Sequence, residues 1–481
     1  MFTVYSPELH EVAVRVHRMN REYFGRQWSP TQLRDHQLAG LREVLRFVKQ
    51  RSPFYGRHLA EFDDAFVNGL TLDAFAELPF TDKQDLRREQ FDMLSAPLDE
   101  CCFFYETTGT TGPVTPCPRD YVETIYNDMA VTSCLETILK AGDRRHFVGI
   151  CGPTELHSFG DTLGDVCRNM GLGMAKFWAY SPMIGLKKSV QALRELGITA
   201  LMCTPGMILT TAKVALAMGY DLRKDFSLEV IMLTGELGAP AMMDNIASLW
   251  GADTYNFLYG AQEALVLGTV TRSRRMHTFP LNFFYEVIDP STGQRVQPEG
   301  GVRAGELVVT MLFRGSKPLI RYRTGDYVRL HDAAATDVFP SPVLEVLGRT
   351  GDGLRIGEHF VQGYDLEQLV MEQVKGALGY QIRITTEGGA DRLDVALELV
   401  GGREDPAMAA AVCTAVRERL GVETAVRFGE LGSRGSTGSM VSWKAARIVD
   451  ERGATDDSEH QAAARITAAR DQLLQRELQA T

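Results

Sequence analysis

Short apolar strands alternate with helices through the middle of the chain, and this alternation most constrains the fold. The predicted strands cover residues 147–150, 199–203, 228–233 and 253–257. The predicted helices beside them cover residues 159–170, 189–196, 205–218 and 244–250. Strands separated by helices are typical of parallel βαβ units, and such sheets bind ligands at the C-terminal ends of their strands. The sequence therefore predicts an α/β fold with functional loops after its strands.

The pattern changes in the following part of the chain. Residues 285–293 and 305–312 alternate between tight turns, which is typical of a small antiparallel β subdomain. Beyond a predicted junction, hairpin strands and helices form a compact α+β part. We therefore expect an N-terminal core at 1–347, a hinge at 348–352, a C-terminal α+β lid domain at 353–450 and a helical tail at 451–481.

Composition and charge exclude several classes of partner. The chain has 481 residues, of which 44% are hydrophobic and 23% charged, as in soluble globular proteins of more than one domain. A net charge of −11 disfavours nucleic acid and anionic membranes, because both reward clustered lysine and arginine. No signal-peptide pattern and no apolar run of about 18 residues occurs. The eight cysteines form no C-x-x-C pair, so we expect reduced thiols and a cytoplasmic protein.

A loop rich in threonine and glycine follows a predicted strand at 102–106. It reads Thr107-Thr-Gly-Thr-Thr-Gly-Pro-Val-Thr115, and a predicted helix begins after Asp120, which is placed as its N-cap. Gly109 and Gly112 let backbone N–H groups approach an anion, and the threonine hydroxyls add uncharged donors. The sequence thus predicts a phosphate-binding loop between a strand and a helix, with a plain polar loop as the alternative. No Gly-Lys-Ser/Thr follows, so it is not a Walker-type loop.

Four further motifs follow this loop in order. They are Leu258-Tyr-Gly-Ala-Gln-Glu263, Arg321-Tyr-Arg-Thr-Gly-Asp326, Gly348-Arg-Thr-Gly-Asp352 and Ser442-Trp-Lys444. In content and order, the motifs resemble those of the adenylate-forming superfamily of acyl-CoA synthetases, peptide-synthetase adenylation domains and luciferases. The length and the C-terminal part most resemble the phenylacetate–CoA ligase branch, which includes aryl-acid ligases of phenazine pathways. The resemblance extends from about residue 52 to residue 450.

The resemblance implies a reaction in two steps. A carboxylate attacks the α-phosphorus of ATP and expels pyrophosphate, and a thiol then attacks the acyl carbon and expels AMP. The implied substrate is an aromatic acid, and the implied acceptor is CoA or an acyl carrier protein, in secondary metabolite or antibiotic biosynthesis. ATP and Mg²⁺ are the implied cofactors, with CoA as co-substrate. We expect neither nucleic acid nor a membrane as partner, and a homodimer is left open.

The resemblance also assigns roles to positions in the N-terminal core. The loop positions that would hold the β- and γ-phosphates are Thr107, Thr108, Gly109, Thr110, Thr111 and Gly112. Glu263 would hold Mg²⁺, a hard ion that prefers oxygen ligands, and Thr108 is included among the catalytic positions. Asp326 would accept both ribose hydroxyls, since a carboxylate accepts several hydrogen bonds. The remaining ATP- or AMP-binding positions are Gly235, Glu236, Tyr259, Gly260 and Arg349.

Other implied roles concern the C-terminal part and the acyl pocket. Lys444 in Trp443-Lys-Ala-Ala-Arg447 resembles the lysine of the branch's terminal Gly-Lys-Ala-x-Arg and would stabilise charge developing during adenylation. Arg349 and Asp352 match the hinge motif, with Asp352 as the pivot for the C-terminal domain. The predicted pocket residues, whose aromatic side chains suit an aryl or heteroaryl acid, are His157, Phe159, Met207, Phe257 and Leu258. His157 orients the carboxylate in one interpretation and simply packs in the other.

Three positions depart from the family pattern. Pro113-Val-Thr-Pro116 stands where the family loop has a lysine, Gln262 replaces a threonine, and Trp443 replaces a glycine. Weakened pyrophosphate handling and altered thioester formation are the expected consequences. Two alternatives stay open: adenylation with transfer to an amine, and a nucleotide- or ligand-binding pseudoenzyme of the same fold. The motif spacing excludes a simple P-loop kinase.

Overall fold

The chain is organised into two compact units, each built from several segments. The computed structural model describes residues 6–107, 114–236, 238–351, 353–430, 447–452 and 472–479. Unit 1 comprises Met1–Arg145, Thr154–Leu172 and Leu258–Thr350, and unit 2 comprises His146–Pro153, Gly173–Phe257 and Gly351–Thr481. The last boundary between the units falls inside the predicted hinge range 348–352. The domain boundaries expected from the sequence stay predictions.

Helices form the first part of unit 1. They are α1 (Pro7–Phe24), α2 (Pro30–Arg51), α3 (Pro53–His58), α4 (Asp64–Asn68) and α5 (Lys83–Glu89), with α6 (Tyr121–Leu139) and α7 (Phe159–Asn169) further along. Short 3₁₀ turns lie at Ala74–Glu77, Gln90–Met93, Leu98–Glu100 and, in unit 2, Val400–Gly402. Ser29 and Asp82 begin α2 and α5 in capping boxes, each accepting a backbone N–H of the first turn. Within the described ranges, none of the helices combines the length and apolar character needed to cross a bilayer.

The threonine- and glycine-rich loop connects two strands of a hairpin. β1 (Phe103–Glu106) pairs antiparallel with β2 (Pro116–Arg119), and α6 begins only after β2, with Asp120 as its N-cap. The predicted cap is thus confirmed, but the prediction of a loop leading directly from a strand into a helix is wrong. Pro116 and Pro118 hide β2 from a prediction, because proline is rare in strands except at edges and ends.

An antiparallel sheet forms the remainder of unit 1. In spatial order its strands are β11 (Phe283–Ile288), β12 (Val302–Met311), β13 (Tyr322–His331), β14 (Val343–Arg349), β10 (Met276–Thr278), β9 (Leu265–Val270) and β8 (Leu258–Ala261). The predicted antiparallel subdomain is confirmed, although it begins earlier, at β8. The motifs containing Tyr259 and Asp326 therefore lie in antiparallel strands, although the first of them directly follows a parallel strand that ends at Asn256.

Unit 2 contains the predicted parallel sheet. Its strands, in spatial order, are β4 (Gly173–Phe177), β3 (Phe147–Cys151), β5 (Ala200–Cys203), β6 (Val230–Leu233) and β7 (Asp253–Asn256). The helices between its later strands are α8 (Gly185–Glu195), α9 (Pro205–Ala217) and α10 (Pro240–Trp250). The parallel pairing is confirmed. The prediction missed β4, whose Gly-Met-Ala-Lys-Phe sequence lacks the β-branched residues that favour strands.

The C-terminal part of unit 2 is α+β, as predicted. The two-stranded ribbon β15 (Leu354–Ile356) and β16 (His359–Val361) precedes a sheet with the order β19 (Glu423–Gly429), β18 (Ala390–Leu399), β17 (Ala377–Glu387) and β20 (Ile448–Asp450). Its helices are α11 (Gly363–Met371), α12 (Pro406–Leu420) and residues 472–479. Helix α11 ends at Met371, and Gly376, with a φ of +75°, directly precedes β17.

One apolar core joins the parallel sheet to the C-terminal part within unit 2. Ile246 and Trp250 of α10, Val370 of α11 and Ile382 of β17 all belong to the same buried cluster. Burial of apolar side chains stabilises such a junction by about 25 cal/mol per Å² removed from water. The predicted fold class, an α/β protein with a small β subdomain and an α+β C-terminal part, is confirmed.

Candidate active site

The ends of the threonine- and glycine-rich loop are fixed by the hairpin. The Thr107 N–H donates to the Thr115 carbonyl oxygen at 3.1 Å, and the Thr115 N–H donates to Thr107 Oγ1 at 2.9 Å. These two contacts hold the chain on either side of the loop at one place. The predicted phosphate-binding positions Thr108, Gly109, Thr110, Thr111 and Gly112 lie outside the described residues, so their role stays a prediction.

Glu263 is a buried carboxylate beside a lysine and a tyrosine. Its Oε1 lies 3.3 Å from Lys83 Nζ and accepts a hydrogen bond of 2.8 Å from the Tyr322 hydroxyl. Its side chain is 5% exposed. Burial alone would raise the pKa of the Glu263 carboxyl, but Lys83, a backbone N–H, Tyr322 and Lys317 outweigh it and lower the pKa to about 2. Glu263 is therefore ionised at neutral pH.

Sequence reasoning missed two lysines near this carboxylate. Lys83 is the first residue of α5, directly after the capping residue Asp82. Lys317 is buried, and its Nζ donates to the Pro116 carbonyl oxygen at the start of β2. In the sequence, Lys83 is only the residue after a helix-capping aspartate, so it reads as part of a helix start. Both lysines bring positive charge to a region whose loop lacks the family's lysine.

Asp326 of β13 is held by Tyr259 of β8 and by Arg349 of the neighbouring strand β14. Its Oδ2 accepts a hydrogen bond of 2.6 Å from the Tyr259 hydroxyl, and its Oδ1 lies 3.2 Å from Arg349 Nε. Asp326 and Arg349 are register partners of β13 and β14. Burial raises the pKa of the Asp326 carboxyl, and Arg349 and the Tyr259 hydrogen bond oppose that rise. A carboxylate offers about four acceptor sites, so further hydroxyl donors fit on Asp326.

The two motifs of unit 1 are joined by a reciprocal pair of hydrogen bonds. Tyr259 of the first motif donates to Asp326 of the second, and Tyr322 of the second donates to Glu263 of the first. In each motif the tyrosine and the carboxylate are four residues apart. The exchange links both carboxylates through tyrosines of the opposite motif. Gly260 directly follows Tyr259, and a Cβ there would come within 2.4 Å of the Leu265 carbonyl oxygen, so only glycine fits.

Gln262, which replaces the family's threonine, is also engaged within unit 1. Its Oε1 accepts a hydrogen bond of 2.9 Å from the Ser158 hydroxyl, and its carbonyl oxygen accepts one of 2.9 Å from Arg119. Neighbouring His157 accepts the Phe159 N–H on Nδ1 at 3.1 Å. Burial and Arg119 lower the pKa of His157 to about 4, so its ring is neutral at pH 7 with the proton on Nε2.

The predicted pocket residues divide between the two units. His157, Phe159 and Leu258 lie in unit 1 and are half-buried, whereas Met207 and Phe257 lie in unit 2 and are buried. Their joint role as an acyl pocket stays a prediction.

The predicted nucleotide loop of unit 2 follows parallel strand β6. Gly235 has a φ of +82°, which favours glycine. The Glu236 side chain is completely buried, and its Oε2 accepts hydrogen bonds from Arg447 at 3.1 Å and from the Gly206 N–H at 3.3 Å. The carboxylate of Glu236 therefore has protein partners, and its role in nucleotide binding stays a prediction. Lys444 and Asp352 lie outside the described residues.

Glu263 fits only one type of magnesium site. Among the residues described, no group of three or more His, Cys, Asp and Glu side chains is arranged to hold a metal ion. Mg²⁺ is commonly held by one or two carboxylates together with waters and substrate phosphates. The single ionised carboxylate of Glu263 suits a site of this shared type.

Comparison with known proteins identifies relatives by sequence and by structure. The chain matches no protein-family model. It is 29% identical over 380 residues to phenylacetate-coenzyme A ligase of Pseudomonas putida, across 76% of this chain and 82% of that protein. It is 28% identical over 388 residues to the Thermus thermophilus protein of the same name, across 76% and 81%. 2-Hydroxyisobutyryl-CoA ligase, solved in its postadenylation state with an acyl adenylate, aligns over 95% of this chain and 94% of its own, with a TM-score of 0.74 and 22% identity.

These comparisons test the predicted family resemblance, but they do not test the roles of single residues. The predicted resemblance is confirmed by the sequence relatives, and the structural likeness confirms the fold. The predicted enzyme class, an AMP-forming acid–thiol ligase, is confirmed by the same relatives. The roles of the individual site residues stay predictions.

Proposed function

We propose that this chain, a relative in the phenylacetate–CoA ligase-like branch of the adenylate-forming superfamily, activates an aromatic carboxylic acid with ATP and transfers the acyl group to a thiol. CoA is the acceptor favoured by the names of the relatives, and an acyl carrier protein is the second thiol. The aromatic acid is supported by relatives named for phenylacetate. A role in secondary metabolite or antibiotic biosynthesis rests on the resemblance alone.

The reciprocal tyrosine–carboxylate exchange carries this proposal. It fixes two charged groups of different chemistry side by side: Glu263, ionised beside Lys83, and Asp326, held by Tyr259 and Arg349. An ionised carboxylate beside a lysine suits the triphosphate and its cation, whereas a buried carboxylate with spare acceptor sites suits two ribose hydroxyls. The linked pair of motifs thus offers separate partners for both ends of a nucleotide.

The proposed chemistry has two balanced steps. In the first, a carboxylate oxygen of the acid forms a bond to the α-phosphorus, the bond from that phosphorus to the bridging oxygen breaks, and pyrophosphate leaves. In the second, the thiolate sulfur bonds to the acyl carbon, the carbon–oxygen bond breaks, and AMP leaves with that oxygen. Phosphoryl transfer of this kind depends on positioning and charge neutralisation.

Each residue has a task within this scheme. Asp326 would orient the ribose, and Lys83 would neutralise phosphate charge in place of the missing loop lysine. Glu263 would hold Mg²⁺ with the phosphates, and when bound this ion would neutralise oxygen charge as pyrophosphate forms. Lys444 would stabilise the charge that develops at the α-phosphorus.

Pyrophosphate release tests the proposal. The full-length protein would be assayed with ATP and a panel of aryl carboxylic acids, with and without CoA. We expect release that depends on the acid, and a loss of roughly 100-fold or more in Lys444→Ala. Lys375→Ala, which removes an exposed lysine elsewhere in the C-terminal part, is the matched control. Bound ATP without release with any acid would contradict the proposal and favour the pseudoenzyme.

A further inference from the structure

A buried ionic cluster lies at the junction of the parallel sheet and the C-terminal part of unit 2. Arg447 donates to Glu236 Oε2 at 3.1 Å, to Glu367 Oε1 at 3.0 Å and to the Tyr380 hydroxyl oxygen at 3.1 Å. Tyr380 in turn donates to Glu367. Both glutamate side chains are 0% exposed, and Arg447 is 6% exposed. These four residues are called the Arg447 cluster below.

Each glutamate of the cluster also binds the start of a helix. The Gly206 N–H, in the first turn of α9, donates to Glu236 at 3.3 Å. The Ala239 N–H, at the start of α10, donates to Glu367 Oε2 at 2.6 Å. The N-cap residue of α10 is alanine, which has no side-chain acceptor. Glu367 of α11 binds the N–H of this residue, and the neighbouring Gln368 accepts the Ala241 N–H at 2.9 Å. The C-terminal part thus completes a helix of the parallel sheet.

The charges of the cluster are close to balanced. Two carboxylates and one guanidinium leave one negative charge, and each helix N-terminus contributes roughly +0.5 of an elementary charge. Burying unpaired charges is costly, so each member depends on the others. We therefore expect the four residues of the cluster to stay in contact together or to separate together.

The cluster bridges the predicted hinge along the chain. Glu236 precedes residues 348–352, whereas Glu367 and Arg447 follow them. If residues 353–450 rotated alone about that hinge, the Arg447 contacts with Glu236 and the Glu367 contact with Ala239 would break. A second buried ion pair crosses the same junction, between Lys213 of α9 and Glu398 of β18 at 2.9 Å, with both side chains 0% exposed. Asn245 of α10 also exchanges two hydrogen bonds with the backbone of Ala377, so polar contacts at several places accompany the apolar core of this junction.

We propose that the Arg447 cluster is a latch that fastens the C-terminal part to the loop after β6 and so favours the adenylation half-reaction. This inference rests on the proposed function. Arg447 follows Lys444 by three residues, and three residues span at most about 10 Å, so anchoring Arg447 limits where Lys444 can reach. Arg447, Glu236 and Glu367 are positioning residues, because they act through the lysine and not on the reacting atoms.

Comparing the two half-reactions tests the latch. Adenylation would be followed as exchange of labelled pyrophosphate into ATP with phenylacetic acid, and acyl transfer as thioester formation from synthetic phenylacetyl adenylate and CoA. In Arg447→Met and in the milder Glu367→Gln, we expect exchange to fall roughly tenfold or more while acyl transfer is unchanged or faster. Arg447→Lys, which keeps the charge, should recover part of the exchange.

A matched control separates the latch from general damage. Arg452 is a partly buried arginine whose ion pairs, to Asp450 and Asp391, stay within the C-terminal part. Arg452→Met should leave both half-reactions near those of the unchanged protein. An equal loss of both half-reactions in Arg447→Met and Glu367→Gln, or no loss in either, would overturn the proposal.

A second measurement does not depend on turnover. Amide hydrogen exchange of peptides that begin before residue 237 and end near residue 246 reports the Ala239 N–H, which Glu367 binds, and the first turn of α10. Exchange there should become roughly tenfold faster or more in Glu367→Gln and Arg447→Met, but not in Arg452→Met. Unchanged exchange would overturn the latch even if the enzyme is active. If the unchanged protein shows no pyrophosphate exchange, the proposed function fails, and the hydrogen-exchange result alone decides whether the fastening exists.

Discussion

Both units bury pairs of carboxylates, but they compensate them differently. In unit 1, Glu263 and Asp326 are 5% and 14% exposed, and their cationic partners are 35% and 55% exposed. In unit 2, Glu236 and Glu367 are 0% exposed, and Arg447 between them is 6% exposed. Partners that water reaches can be joined or displaced by a ligand, whereas a closed cluster can only hold the protein together. The exposure of the cationic partners thus distinguishes carboxylates that can bind a ligand, in unit 1, from carboxylates that stabilise the fold, in unit 2.

Substitution of Glu263 is the strongest test of this difference between the two units. We expect Glu263→Gln to lower acid-dependent pyrophosphate release by roughly 100-fold to 1000-fold, because a neutral amide neither holds a cation nor balances Lys83. The rate would be measured at saturating ATP and acid. Glu345→Gln is the matched control, since Glu345 is a half-exposed carboxylate that pairs with Arg329 in the same sheet. A variant as active as this control would mean that Glu263 serves structure, as Glu367 does.

Asp326 is expected to show a smaller effect, mainly on ATP binding. Hydrogen bonds to a charged acceptor contribute about 1.5–3 kcal/mol, so Asp326→Asn should raise the KM for ATP by roughly 10-fold to 100-fold. The value of kcat should change less. Asp332→Asn, at an exposed carboxylate paired with Arg303, provides the comparison. A loss confined to kcat would contradict a role in binding ribose.

The smallest expected effect is on stability in acid. The pKa of Glu263 is lowered from 4.5 to about 2, so its contribution is fully present above pH 4.5 and is lost as the pH falls towards 2. Over that range, the free energy of unfolding should fall less steeply with decreasing pH in Glu263→Gln than in the unchanged protein. The difference between the two slopes corresponds to the uptake of up to one proton on unfolding. Denaturant titrations at several pH values measure this slope. Parallel curves for the two proteins would contradict an ionised, stabilised carboxylate.

The sequence predicted much of the fold because its signals are local. Parallel strands and hairpins have short repeating patterns, and Asp120 was identified as a cap from its neighbours alone. Predictions were wrong where a local signal was misleading, as at the prolines of β2. The motif order identified Glu263 and Asp326, but not their partners. Those partners depend on contacts between distant segments, which leave no pattern along the chain.

The Arg447 cluster illustrates this limit. Arg447 was quoted only as part of a C-terminal motif, and Glu236 was assigned to a nucleotide loop. The two residues are 211 positions apart and meet only in the folded chain. Lys83 was interpreted as part of a helix start, and its place beside Glu263 was equally hidden. Tertiary contacts of this kind decide which carboxylates remain reachable by ligand.

The most direct test of the central claim follows the oxygen atoms of the acid. The protein would be incubated with ATP, CoA and phenylacetic acid labelled with ¹⁸O in its carboxylate, and the products would be analysed by mass spectrometry. Attack on the α-phosphorus predicts that each AMP formed carries one ¹⁸O and that pyrophosphate carries none. Label in inorganic phosphate with formation of ADP, or thioester formed with unlabelled AMP, would contradict an acyl adenylate.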